Sequence, residues 1–141
     1  MAGPRIHSTN YFDTFITVAP DCAASGGTVP LPCQEPTIAA RVFRMVREHP
    51  YEFTSDDVIF TVWADRRGIP TEDRAKARAV FFSKGQPCLR CSDLVKKYGW
   101  GIHADGRGRI ALVGINTPEY EAFVAGRRPV ALKAAMSSPR K

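Results

Sequence analysis

No run of apolar residues in this chain approaches the roughly 18 that a membrane-spanning helix needs. The N-terminal stretch MAGPRIHSTNYFD has no hydrophobic core of the kind a secretion signal carries. These two absences point to a soluble protein of the cytoplasm without a membrane partner. The glycine-rich phosphate-loop and dinucleotide-binding patterns are missing too, so spacing alone offers no nucleotide signature. Acidic residues are absent from positions 127–141, which hold Arg127, Arg128, Lys133, Arg140 and Lys141. The remainder carries 15 basic against 14 acidic side chains, so most of the net charge of +6 belongs to this tail. A nearly neutral body argues against specific nucleic-acid recognition, and a basic tail alone binds polyanions weakly and without sequence preference.

What is present is an ordinary globular composition, 44% hydrophobic and 24% charged over 141 residues, enough for one domain with a single core. YFDTFITV (11–18) alternates like a half-buried strand, with Phe12, Ile16 and Val18 on one face. Residues 22–36 are rich in Gly, Pro and small side chains and read as a long loop. TIAARVFRMVREHP (37–50) predicts a helix capped by Thr37 and closed by Pro50. DVIFTVWA (57–64) is β-branched and aromatic on both faces, which predicts a central strand. A helix is expected over 70–82 with Thr71 as its cap, and a short one over 92–99 between Ser92 and Gly99. Residues 99–115 read as a hairpin turning at Asp105-Gly106. Thr117 and Pro118 open a further helix. The expected architecture is α+β: a single domain over 1–126, with a mostly antiparallel sheet and helices on one face. The basic tail, 127–141, is expected to be partly helical and then disordered.

The stretch FFSKGQPCLRCSDLVKKYGWGIH (81–103) concentrates chemistry-bearing residues between aromatics, and it has three readings. Cys88 and Cys91 have the spacing of a zinc knuckle, but a structural site needs four ligands. Cys22 and Cys33, with ten residues between them, do not supply a second knuckle. The same pair could be a redox dithiol, since Cys91 precedes a capped helix start near Arg90 and Lys84. In the absence of a secretion signal all four cysteines are expected as reduced thiols. The third reading is an anion pocket, with Lys84 and Arg90 as cations, Gln86 as a neutral donor and Gly85 permitting a tight turn. Against it stands the plain alternative that both cations are solvated or paired with Asp56 or Asp57.

IHSTNYFDTFI (6–16), YEFTSDDVIF (51–60), FFSKGQPCLR (81–90) and KYGWGIH (97–103), in that order, resemble an uncharacterised family of small bacterial proteins catalogued as a domain of unknown function. The resemblance spans about residues 6–126 and implies no activity. In that pattern serines follow CLR, so Cys91 departs from it while Cys88 fits. A zinc site built from all four cysteines is therefore not what the resemblance implies.

The favoured reading is a small-molecule-binding protein, open as to whether it is an enzyme, with a polar pocket for an anionic metabolite, carboxylate or phosphate. Lys84, Gln86 and Arg90 would hold the ligand, with His7 and Asn10 near the N-terminus as further lining. If there is catalysis, His103 is the proton carrier, because its pKa lies near working pH. Asp57 would orient it, and Cys88 is a candidate nucleophile. No metal ligand set and no particular cofactor is assigned. The alternatives are an interaction module for nucleic acid or protein, using the tail and the helix with Arg74, Lys76 and Arg78, and a structural subunit without catalysis.

Overall fold

In the computed structural model, which describes residues 7–30 and 36–135, the capping residues place most helices where the sequence expects them. Helix α1 spans Ile38–Glu48 and starts where the Thr37 hydroxyl accepts from the Ala40 N–H. Helix α4, Asp93–Lys96, is capped by Ser92, and α5, Pro118–Val124, by Thr117 with Pro118 at its first position. A proline there loses nothing, because that N–H has no helical partner in any case.

Four strands form one sheet in the order β3-β2-β1-β4. They are β1 (Thr14–Thr17), β2 (Trp100–Ala104), β3 (Ile110–Gly114) and β4 (Ala131–Ala134). The expected hairpin is β2–β3, and the Asp105 carboxylate accepts from the N–H groups of Arg107 and Arg109 in its turn. β1 pairs antiparallel with β2 and parallel with β4, so two of three pairings are antiparallel. The register Phe15–His103–Ala111 lies on one face and Ile16–Ile102–Leu112 on the other.

Two expectations about secondary structure are corrected. The segment 57–64 is not a strand: it lies within α2, Ser55–Arg66. A complete capping box sets the helix start. The Thr54 hydroxyl accepts from the Asp57 N–H, and the Asp57 carboxylate accepts from the Thr54 N–H. α2 packs against α1 and α3 (Arg74–Phe81) and buries Asp56, Val58, Phe60, Val62 and Ala64. Covered on so many sides, it carries no polar stripe, and its β-branched residues imitate a buried strand. The tail does not form a helix over 131–134 either. The open edge of β1 takes it up as β4, with the Ala131 N–H on Asp13 O and the Ala135 N–H on Thr17 O. The final residues, 137–141, and Cys33 lie outside the described residues.

Smaller differences concern details. The helix expected from residue 70 opens as a 3-10 turn, Thr71–Asp73, without a side-chain cap. Phe12 is exposed, whereas Phe15 and Ile16 are both buried, because the sheet is covered on both faces. The main core holds Ile16, Ile102 and Leu112 with Val42, Val46, Val58 and Leu94. On the opposite face α5 brings Tyr120 and Phe123 onto Phe15 and Val113. The Tyr120 hydroxyl accepts from the Val18 N–H at 2.8 Å, fixing the end of β1 to α5. No helix among the described residues is long and apolar enough to cross a membrane.

Candidate functional site

Ser8, Thr9 and Asn10 of the first motif are occupied by folding. Thr9 donates to the Asp56 carboxylate through its N–H (2.6 Å) and its hydroxyl (2.7 Å), and the Ser8 hydroxyl donates to the same carboxylate (2.8 Å). Asn10 Oδ1 accepts from the Asp56 N–H, which belongs to the otherwise unpaired first turn of α2. The His7 N–H donates to Phe82 O. Residues 7–10 are thus a strap fastened across the start of α2, not the wall of a pocket.

Asp57 is equally committed. Beyond the capping box, its Oδ1 accepts from Arg78 at 2.8 Å. Burial pushes its carboxyl up, but the Thr54 N–H and the Arg78 guanidinium outweigh that and hold it below the usual carboxylate range. His103 sits on the other side of the sheet. Its Nδ1 shares a 2.8 Å hydrogen bond with the Tyr51 hydroxyl, and its ring lies 4.6 Å from that of Phe123. Burial first, then the positive charge of Arg128, lower its pKa, against the weaker pull of Asp105 and Asp13. Tyr51 itself adopts φ 60°, a left-handed conformation uncommon for a bulky residue. Its N–H bond to Ile110 O and its bond to His103 hold it there.

The cations of the 81–90 segment do not meet. Lys84 is exposed and makes no ion pair among the described residues. Arg90 turns toward β4, donating from Nε to Ala134 O at 2.7 Å. It lies beside Tyr11, whose hydroxyl is 3.5 Å from Cys88 Sγ. Burial and Cys88 raise the Tyr11 pKa, and Arg90 opposes them.

A different space opens nearby. A cleft of about 380 Å³ lies between α1, α2 and the segment 86–93. Ile38 and Val42 line it from α1, Ile59, Val62 and Trp63 from α2, and Phe81 from the end of α3. Gln86, Cys88, Cys91, Ser92 and Asp93 form the opposite wall, and Arg66 adds a cation. Gln86 is oriented by its Nε2 bond to Phe81 O. Asp93, the acid on this lining, stands in the first turn of α4, where its charge complements the helix start. Arg66 is exposed and has no ion-pair partner among the described residues.

Of the eight candidates from sequence, Gln86 and Cys88 line this cleft, while Lys84, Arg90, His7, Asn10, Asp57 and His103 do not. Cys88 and His103 cannot act as nucleophile and base, because the sheet separates them: Val42, Val62 and Leu89 belong to the main core, and His103 faces Phe123 behind it. Among the described residues no three His, Cys, Asp or Glu side chains gather as a metal site requires. Arg66, Ile59 and Trp63 were missed. Mistaking α2 for a strand hid that they share a helix face. Of the tail's cations, Arg128 stacks on Phe123 at 4.6 Å and Lys133 lies in β4. They are parts of the domain's surface rather than a separate arm.

A model of a family of unknown function, DUF6157, matches residues 6–141, and the chain belongs to that family. No curated protein and no solved structure matches the chain.

Proposed function

We propose that this member of a family without an assigned activity is a small-molecule-binding protein whose ligand occupies the cleft between α1, α2 and residues 86–93. The ligand has an apolar body, an aryl ring or short acyl chain, and one anionic end. The observation that carries this reading is the lining itself. A concave volume of about 380 Å³ is walled by aliphatic and aromatic side chains, beside Arg66, whose guanidinium has no ion-pair partner among the described residues. That size and that mixture, mostly apolar with a few polar groups, are typical of small-molecule sites. The mostly apolar walls favour a carboxylate over a phosphate, since a phosphate ester is best held by several cations and Arg66 is the cation on this lining, with Gln86 and Ser92 as neutral donors.

Anilinonaphthalenesulfonate, an aromatic anion, is a suitable first probe, with Trp63 fluorescence as the protein-side signal. It should bind saturably, and aryl carboxylates such as phenylacetate should displace it while inorganic phosphate does not. Arg66→Ala should weaken binding roughly tenfold, the equivalent of one charge-assisted hydrogen bond. Ile38→Glu, at an exposed position of the rim, should weaken it without unfolding the protein. Absence of saturable binding, or equal affinity in Arg66→Ala, would reject the assignment.

A further inference from the structure

Cys88 and Cys91 stand in a specific local relation. Cys88 is the N-cap of the 3-10 turn Leu89–Cys91, and Cys91 is the third residue of that turn. The Cys91 N–H donates to Cys88 O at 3.0 Å, closing the turn. Such a closed turn holds its first and fourth Cα atoms less than about 7 Å apart, and disulfides form across about 4.4–6.8 Å. N-cap and third-position side chains also point at one another, which is why they exchange hydrogen bonds in a capping box. This protein shows that at the same two positions of α2, where Thr54 and Asp57 bond reciprocally. Both thiols are free, both line the cleft, Cys91 is exposed and Cys88 half-buried. Leu89 is buried and Arg90 is tied to β4, so the backbone between the two sulfurs is anchored on both sides.

We infer that Cys88 and Cys91 are a redox-active dithiol that closes an intramolecular disulfide in the wall of the cleft, with a hydroperoxide as oxidant. The exposed sulfur reacts first. The Cys91 thiolate attacks one peroxide oxygen, the O–O bond breaks, and water or an alcohol leaves, giving a sulfenic acid on Cys91. Cys88 Sγ then attacks Cys91 Sγ, the S–S bond forms, and the hydroxyl departs as water with the Cys88 proton. Two thiols lose two electrons and two hydrogens, and the peroxide bond takes them up. A small dithiol reverses the change. Tyr11, whose hydroxyl lies against Cys88 Sγ, is positioned beside the second step. Closure also replaces two thiols of the lining by one S–S bridge. On the ligand reading above, on which this consequence rests, it changes affinity in the cleft.

The sequence supplies a direct readout. Trypsin cuts after Lys84, Arg90 and Lys96, so it separates Cys88, in peptide 85–90, from Cys91, in peptide 91–96. The full-length protein is treated with hydrogen peroxide, alkylated under denaturing conditions and digested. The expected result is that 85–90 and 91–96 travel as one disulfide-linked species that dithiothreitol separates, and that Cys91→Ser abolishes it. Separate peptides without reductant, or either of them joined to the peptide holding Cys22 and Cys33, would overturn the dithiol. In parallel, the affinity for anilinonaphthalenesulfonate should shift by about threefold or more on oxidation and return on reduction. A linked pair with unchanged affinity would overturn the coupling to the cleft. A probe that fails to bind even the reduced protein would reject the ligand reading and leave the dithiol to the peptide result.

Discussion

Asp56→Ala and Asp57→Ala alter neighbouring carboxylates, and the structure assigns them unequal costs. Asp56 is 8% exposed and accepts three hydrogen bonds, two from Thr9 and one from Ser8. A hydrogen bond to a charged acceptor contributes about 1.5–3 kcal/mol net, and a buried donor left without a partner costs about 1–3 kcal/mol. On removal of the carboxylate, the Thr9 hydroxyl keeps Ser55 as a partner at 2.9 Å, while the Thr9 N–H loses the bond that satisfies it. Counting the two buried bonds and discounting for relaxation gives about 3–4 kcal/mol for Asp56→Ala. Asp57→Ala removes half of a capping box and a half-exposed ion pair, together about 1–1.5 kcal/mol. At about 3–4 °C per kcal/mol for a chain of this size, Asp56→Ala should lower Tm by roughly 10 °C and Asp57→Ala by roughly 4 °C. Urea unfolding should show the same order as a falling midpoint with an unchanged slope. A double-mutant cycle of Asp56→Ala with Thr9→Val should give a coupling of about 1–3 kcal/mol. Equal losses from the two aspartates, or no coupling to Thr9, would refute the idea that the strap is fastened by this carboxylate.

Three other perturbations probe the remaining elements. His103 has a folded-state pKa below its ordinary 6.5, so the unfolded chain binds more protons just under that pH. Its contribution to stability is complete above 6.5 and falls as the pH drops toward the folded value; His103→Gln should flatten that limb of a urea-midpoint profile, and an identical profile would contradict the assignment. Gly101→Ala would set a Cβ 2.6 Å from the buried Phe15 ring and 2.9 Å from that of Tyr120. A loss of about 2–3 kcal/mol is expected from such overpacking, and an unchanged Tm would show that α5 lies less closely on the sheet. Ala131→Pro deletes the donor to Asp13 O and should cost about 2 kcal/mol if residues 131–134 are a strand; a loose tail would tolerate it.

Much of the fold was legible because its signals are local. Thr37, Ser92, Thr117 and Pro118 each mark a helix start by satisfying or sparing N–H groups within a turn of themselves, and Asp105-Gly106 marks its hairpin in the same way. What was not legible depends on distant partners. Thr54 and Asp57 do form a local capping box, yet the β-branched and aromatic side chains on both faces of 57–64 spoke for a central strand. Only the presence of α1 and α3 on two sides of α2 makes a helix without a polar stripe reasonable. Likewise nothing within 131–134 asks for a strand; the unpaired edge of β1, more than a hundred residues earlier, does.

The candidate site was harder to read for a related reason. A residue type announces chemistry only while its polar atoms remain available. Here Asn10, Asp56, Asp57 and Arg90 each hold a backbone group or cap through their side chains, so much of the motifs that look most functional is scaffold. The cleft is instead made of Ile38, Val42, Ile59, Val62 and Trp63, which no composition argument separates from core. Its distinguishing feature is geometric: these side chains leave a space unfilled next to a cation and two thiols. Filling that space from within gives a direct discrimination. If the cleft is merely a packing defect, Ile59→Phe should raise stability by burying more apolar surface where room exists. If the space is kept for a ligand, the same substitution should leave the fold stable but abolish probe binding. Denaturation and fluorescence titration of that one variant therefore separate a binding cleft, in which occupancy and affinity change together, from an incidental gap, in which only stability moves.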